Sequence, residues 1–276
     1  MKPRVMSLVI FTCVVGLLIA PNQVNFFTAT FALLSVAIGA GGAGALNMWY
    51  ESDIDALMKR TCLRPIPTGK VLRKHALIFG IVTSVFSVFS LYYLSNFLSA
   101  VMLTITILFY VLIYTIWLKQ LTPQNIVIGG AAGAFPPIIG WTIATGGITL
   151  EPIILFLIIF FWTPSHFWAL SLYKTEDYNN AKIPMLPVVS GIKTTKINIF
   201  VYAIILFFVS IAPYFFDYSG IIYLVSSTLL GSYYVYLCYK LLVKKDADKI
   251  LAKKIFVYSI LYLFLIFVII LIDNIL

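Results

Sequence analysis

Nine apolar runs, each about as long as a bilayer is thick, constrain this chain more than any other feature of its sequence. The 276 residues are 62% hydrophobic and only 11% charged, which suits a chain built for lipid. Backbone groups in hydrocarbon must be hydrogen-bonded within their own segment, so the runs are predicted to be helices and not barrel strands. We expect an all-α membrane protein with one domain over residues 1–276 and nine transmembrane helices, at 5–20, 26–46, 75–94, 97–117, 125–145, 152–172, 197–216, 220–240 and 256–273.

The charged residues divide between the two sides that these spans define. All 19 Lys and Arg residues fall at the N-terminus or in the gaps after spans two, four, six and eight, whereas the other side carries only Glu151, Asp217 and Asp273. Basic loops stay on the cytoplasmic side, so the N-terminus is predicted to be cytoplasmic and the C-terminus outside. The net charge of +9 then reflects topology and anionic lipid, and no nucleic acid is expected as a partner. The absence of an Arg- and Ser-rich transit sequence favours a bacterial cytoplasmic (inner) membrane.

Three local patterns give further structural expectations. The small residues at 39–45 should allow close helix contact. The prolines at 136–137 and Pro164 should kink spans five and six. The basic segment at 240–254 is expected to be an interfacial loop or a short surface helix.

The acid-rich start of a long cytoplasmic loop, at about 48–74, is a candidate metal site. Asn47, Glu51 and Asp55 are spaced i, i+4, i+8, which places all three on one helical face. A set of oxygen ligands suits Mg²⁺ better than zinc or copper. Asp53 lies off this face and is expected to contact the ligand residues and not the metal ion itself. The alternative is a solvated acidic end of a helix.

Basic residues follow the acids directly. Lys59, Arg60 and Arg64 come before the prolines that end any helix. A second long loop, at about 173–196, repeats the combination of acid and base in Asp177 and Lys182. Carboxylates for a metal ion, together with cations for oxyanions, are what a diphosphate site requires.

His166 is the second candidate functional group, because it lies inside span six close to Pro164. Ionisable groups at membrane depth are rare and usually face the interior of the helix bundle. The functional interpretation is a substrate contact, which includes ligation of haem iron. The alternative is a histidine bonded to a backbone carbonyl that Pro164 leaves free.

These motifs together resemble the intramembrane aromatic prenyltransferases of the UbiA superfamily and, within it, the branch that farnesylates haem. The resemblance runs nearly end to end, and the matching stretches are 2–4, 47–61, 64–65, 162–169 and 177–189. It implies a nine-helix UbiA-type bundle whose active site opens to the cytoplasmic side.

The resemblance also implies the roles of individual residues. The metal ligands and catalytic residues would be Asn47, Glu51, Asp55 and Asp177. The diphosphate would be bound by Arg4, Lys59, Arg60, Arg64 and Lys182. The chain departs from the family pattern at four positions, because Ala181 stands where a second aspartate is frequent, and Ser52, Cys62 and Ser165 replace the usual Arg, Arg and Pro.

The reaction implied by the resemblance is transfer of a farnesyl group from farnesyl diphosphate to a vinyl group of haem B, with water added, giving haem O. Mg²⁺ would be the cofactor, haem B the second substrate, His166 a haem contact, and haem A synthase or a terminal oxidase assembly factor a further partner. Two alternatives stay open: a prenyltransferase with another aromatic acceptor, and a non-enzymatic haem-binding assembly factor that needs neither Mg²⁺ nor diphosphate. A transporter is disfavoured by the odd number of spans and the one-sided acids.

Overall fold

The computed structural model describes residues 3–59, 61–181, 183–246 and 248–275, with side chains from residue 6 onward. The described residues form helices and turns and contain no strand. The α-helices are α1 Pro3–Leu18, α2 Phe26–Tyr50, α3 Ser52–Leu57, α4 Arg73–Leu94, α5 Phe97–Leu108, α6 Asn125–Ala134, α7 Pro136–Thr145, α8 Leu150–Tyr173, α9 Thr175–Asn180, α10 Leu186–Val189, α11 Gly191–Phe215, α12 Ile221–Val243 and α13 Lys249–Ile275. A π-helix, Phe109–Trp117, and a 3₁₀ turn, Leu118–Gln120, extend α5.

Eight helical segments in the described residues are long and apolar enough to cross a membrane, which makes the chain a multi-pass integral membrane protein. They are Phe26–Tyr50, Arg73–Leu94, Phe97–Gln120, Asn125–Thr145, Leu150–Tyr173, Gly191–Phe215, Ile221–Val243 and Lys249–Ile275. The first predicted span forms a shorter apolar helix, Met6–Leu18. By length and composition, the structure therefore confirms eight of the nine predicted spans.

Prolines interrupt one span and not the other. The fifth span breaks at Phe135, directly before the two prolines that open α7, which confirms an interruption there. By contrast, α8 continues through Pro164 without a break. The predicted disturbance at Pro164 is therefore not visible as an interruption of the helix.

Two helix boundaries differ from the prediction. The final helix begins at Lys249 and not at 256, and α12 runs to Val243. The described residues 244–246 and 248 form the loop that was expected, whereas the two ends of the basic segment 240–254 continue the neighbouring spans, which corrects the expectation there. Likewise, α11 begins at Gly191 and not at 197. Lysine is a good helix former, so charge marks the end of an apolar run without marking the end of a helix.

The chain divides into two compact units, of which the first runs to Gln120 and also contains Phe135–Pro152. Here α2 packs closely on α4, because a Cβ on Gly42 would meet the Ser84 hydroxyl at 2.7 Å, and one on Gly80 would meet the Leu46 side chain at 2.7 Å. This confirms that the small residues of α2 serve close helix contact. The crossing of α1 and α7 is closer still, because a Cβ on Gly140 of α7 would strike the backbone carbonyl of Cys13 on α1.

The second unit consists of Leu121–Ala134 and Ile153–Leu276. Its long helices are joined by buried hydroxyl groups. Tyr223 donates to the backbone carbonyl of Ser210 at 2.7 Å, and Tyr262 donates to the hydroxyl of the same serine at 2.7 Å. These bonds connect α12 and α13 to α11 and make the polar groups compatible with an apolar interior.

Candidate active site

Asn47, Glu51 and Asp55 keep their helical spacing across the junction of two helices. Glu51 lies between α2 and α3, where its N–H donates to the carbonyl of Asn47 at 2.9 Å. The N–H of Asp55 donates in turn to the carbonyl of Glu51 at 2.8 Å. The unbroken i→i+4 bonding places the three side chains on one face, and the residues as a whole are 0%, 1% and 3% exposed, respectively. The alternative of a solvated acidic helix end is therefore wrong.

The π-helix brings a partner to Asn47. The amide nitrogen of Asn47 donates to the hydroxyl of Thr115 at 3.0 Å, and Thr115 donates to the carbonyl of Tyr110, five residues earlier, at 2.8 Å. The wider turn of a π-helix is frequent at functional sites. Asn47 uses its nitrogen in this bond, so Thr115 does not consume the amide oxygen, which is the atom that could ligate a cation.

Glu51 is paired with Lys119, a residue that the sequence interpretation did not select. The Nζ atom of Lys119 lies 2.5 Å from Oε1 of the glutamate, whose side chain is 2% exposed. A sequence signal for this residue did exist, because Lys119 is the only charged residue between Lys74 and Glu151. An isolated charge so close to an apolar run is a candidate for a role in addition to topology.

Asp55 is held by Arg64 through both of its oxygens. The Nη1 atom of the arginine lies 2.8 and 2.7 Å from the two carboxylate oxygens. The intervening loop is closed by Thr61, whose hydroxyl donates to the backbone carbonyl of Asp55 at 2.9 Å. The phenol of Tyr110 lies within electrostatic reach of both acid–base pairs. Four charged groups and a phenol of the first unit thus form one cluster.

The structure places the remaining predicted residues differently. Asp53 is 82% exposed and pairs with Arg73 at 3.1 Å, so the expectation that it contacts the ligand residues is wrong. Lys59 is exposed. Asp177 lies in the first turn of α9, partly exposed, and belongs to the second unit. The predicted diphosphate contacts Arg60 and Lys182, and the side chain of Arg4, lie outside the described residues.

His166 is buried in the second unit and bound to a side chain on another helix. Its Nδ1 atom lies 2.6 Å from the hydroxyl oxygen of Ser259 on α13. The expected alternative, a bond to a carbonyl freed by Pro164, is not what the described residues show. The aromatic rings of Trp162 and Phe256 lie against it, with centroid distances of 4.2 and 4.6 Å.

The donor chemistry of the acid cluster fits Mg²⁺. The described residues contain no group of three or more His, Cys, Asp or Glu side chains placed to hold a metal ion. A metal at this site would therefore rely on the carboxylates of Glu51 and Asp55 and on neutral oxygens such as that of Asn47. Mg²⁺ typically takes one or two carboxylates and completes its shell with water and substrate phosphate.

Solved structures share the fold of this chain. A structure of digeranylgeranylglyceryl phosphate synthase has a TM-score of 0.81 and 18% sequence identity, covering 99% of this chain and 95% of that one. A UbiA homologue from Archaeoglobus fulgidus bound to GPP and Mg²⁺ has a TM-score of 0.68 and 15% identity, covering 97% of each chain. At this level of identity the likeness concerns the fold alone.

Sequence comparison is more specific. A protein named protoheme IX farnesyltransferase from Pelagibacter ubique (strain HTCC1062) is 65% identical over 279 residues, covering 100% of this chain and 92% of the relative. The UbiA prenyltransferase family matches residues 9–260. The chain therefore belongs to the UbiA prenyltransferase family.

Proposed function

We propose that this chain transfers the farnesyl group of farnesyl diphosphate to a vinyl group of haem B, with addition of water, to give haem O. The observation that carries the diphosphate half of the proposal is the buried cluster of Asn47, Glu51 and Asp55, with Lys119 and Arg64 bound to the acids. The desolvation of buried ion pairs can cost more than their attraction returns, so stability alone does not explain these pairs, and here both charge types suit Mg²⁺ and a diphosphate.

The choice of acceptor is supported by the relative from Pelagibacter ubique, because a protein named protoheme IX farnesyltransferase is 65% identical over the whole of this chain. The solved homologue with GPP and Mg²⁺ supports a metal-assisted use of prenyl diphosphates. Both substrates are lipophilic, which accounts for a site within a helical membrane domain. The product would pass to a haem A synthase or to the assembly of a terminal oxidase.

The topology belongs to the same proposal. Helix α1 crosses the membrane as well and brings the number of spans from eight to nine. The N-terminus lies in the cytoplasm, and the acid cluster opens to the cytoplasmic side of a bacterial inner membrane. The restriction of all 19 Lys and Arg residues to one side of nine spans supports this orientation.

The chain's own residues account for binding and departure of the diphosphate. Asn47, Glu51 and Asp55 would hold Mg²⁺, and the ion when bound neutralises charge on the leaving diphosphate. Asp177 stays a ligand that only the family resemblance predicts. Lys119 and Arg64 would exchange their carboxylate partners for phosphate oxygens, and Arg4, Lys59, Arg60 and Lys182 would add further positive charge. Fixed cations aimed at developing negative charge stabilise the transition state directly.

The bond changes balance without a protein nucleophile. The allylic carbon–oxygen bond breaks, and its electron pair leaves with the diphosphate. The π electrons of the haem vinyl group form the new carbon–carbon bond, water captures the resulting cation, and the proton of that water is released. Trp49 and Tyr50, whose ring centroids are 6.2 Å apart at the same end of α2, could shield the allylic cation through their π faces.

The experiment is a reconstitution with a choice of acceptors. Purified protein in lipid nanodiscs receives farnesyl diphosphate, Mg²⁺ and either haem B or a quinone precursor, and the products are separated and weighed by mass spectrometry. The proposal predicts haem O and no prenylated quinone precursor. Prenylation of the other acceptor would instead support a different member of the family, and haem binding without any transfer would support the non-enzymatic alternative.

A further inference from the structure

The hydrogen bonds around Ser259 decide which nitrogen of His166 carries the proton. The serine hydroxyl donates its hydrogen to the backbone carbonyl of Phe256 at 2.7 Å. A hydroxyl has only one hydrogen, so the 2.6 Å contact between Ser259 Oγ and His166 Nδ1 must be donated by the imidazole. In its neutral form the ring then has its proton on Nδ1 and a lone pair on Nε2.

Aromatic side chains hold the ring in this orientation. Trp162 stacks on His166 with an interplanar angle of 19° and Phe256 with one of 28°, whereas Phe167 meets the ring edge-on at a centroid distance of 5.0 Å. A ring stacked in this way cannot turn over without moving its neighbours. In the part of the chain that the structure describes, Nε2 makes no hydrogen bond.

Ser259 also fixes the helix that carries the histidine. Its backbone carbonyl accepts from Nε1 of Trp162 at 2.7 Å, so one residue of α13 binds two neighbouring side chains of α8. His166 precedes the last residue of α8, Tyr173, by seven positions, which corresponds to about 10 Å along the helix. His166 therefore lies within the span and about two helical turns away from the end of α8.

We propose that Ser259 is a positioning residue that fixes His166 as the Nδ1–H tautomer, so that Nε2 serves as an axial ligand for the iron of the porphyrin substrate. The proposal rests on the proposed function, because it takes haem as the acceptor. Metal-binding histidines almost always donate their other ring N–H to a nearby oxygen, and Ser259 provides that oxygen. Ligation would hold the porphyrin in a fixed orientation while the vinyl group reacts.

The tautomer is tested by ¹⁵N NMR of protein labelled in histidine. The chain has only two histidines, and His75 is exposed, so it serves as an internal reference. For His166 we expect the Nδ1–H tautomer in the unaltered protein and a shift away from it in Ser259→Ala. Trp162→Phe removes the other bond to Ser259 and should leave the tautomer unchanged. An Nε2–H tautomer in the unaltered protein would overturn the proposal.

Ligation is tested by titration with ferric haem, followed through the Soret band and EPR. His166→Ala should lose the histidine-ligated signal, and Ser259→Ala should weaken haem binding by about 10-fold or more. Trp162→Phe should weaken it less, and an equal effect of both variants would show that Ser259 only joins two helices.

Farnesyl transfer is measured separately. Failure of transfer with the ligated spectrum intact would contradict the proposed function alone, whereas full transfer without histidine ligation would contradict only this inference.

Discussion

The Nζ atom of Lys119 lies 2.5 Å from the Oε1 atom of Glu51, although 68 residues separate the two along the chain. The contact joins the 3₁₀ turn that follows the π-helix to the junction of α2 and α3. Arg64 makes the equivalent contact with Asp55. Each buried acid of the cluster is thereby neutralised by one base, and the same bases are suited to receive a diphosphate.

Removal of Lys119 should destabilise the protein, because it leaves Glu51 buried without its cation. Lys119→Met leaves the buried carboxylate of Glu51 uncompensated and should lower the free energy of unfolding by about 3 kcal/mol. The double variant Glu51→Gln, Lys119→Met should recover much of that stability, because no charge is then left unpaired. Thermal unfolding in detergent measures both effects. A double variant no more stable than the single one would contradict the buried-pair interpretation. Both variants should have a lower rate of farnesyl transfer than the unaltered protein.

Two neighbouring acids provide a matched test of the metal site. Asp55→Asn should lower haem O formation by about 100-fold, because one of two buried carboxylates is lost. Asp53→Asn should keep nearly full activity, since this side chain is exposed and paired with Arg73. Initial rates at saturating farnesyl diphosphate make the comparison, and similar losses in both variants would argue against the assignment of Asp55.

The sequence predicted the helical spans and the single face of Asn47, Glu51 and Asp55 because both depend on short-range periodicity. An apolar run of sufficient length must be helical in lipid, and an i, i+4 spacing survives wherever the backbone bonding is continuous. The continuity between α2 and α3 meets this condition. Local patterns of this kind need no knowledge of tertiary contacts.

The pairing of charges depends on contacts that the sequence does not encode locally. Lys119 reaches Glu51 because a π-helix changes the register of its segment, and Asp53 pairs with Arg73 because the following loop returns to it. Ser259 was not identified for the same reason, since 93 residues separate it from His166. Serines in membrane helices are common, and nothing in the sequence distinguishes this one.

The crossing of α1 and α7 should tolerate no side chain at Gly140. A Cβ there would strike the backbone carbonyl of Cys13, whereas a Cβ on Gly133 would meet nothing within 4 Å. Gly140→Ala should therefore reduce stability by about 1–3 kcal/mol through overpacking, and Gly133→Ala should not. Thermal unfolding of the two variants decides this, and equal midpoints would contradict the close crossing.

Lys196 should be structural despite its charge. It is buried, and its ammonium group donates to the backbone carbonyls of Lys244 at 3.0 Å and Asp246 at 2.5 Å, just beyond the end of α12. Lys196→Met should reduce stability by about 1.5–3 kcal/mol, because hydrogen bonds from a charged donor are lost. Lys193→Met, at an exposed position on the same helix, is the control and should be neutral. A destabilisation of the same size in both variants would refute this role.

The most direct test of the central claim is the rate of haem O formation by nanodisc-embedded protein with farnesyl diphosphate and haem B, before and after chelation of divalent cations. The account predicts that chelator reduces the rate to background and that added Mg²⁺ restores it. An undiminished rate in the presence of chelator would contradict the assignment of Asn47, Glu51 and Asp55 as the residues that hold the metal for diphosphate departure.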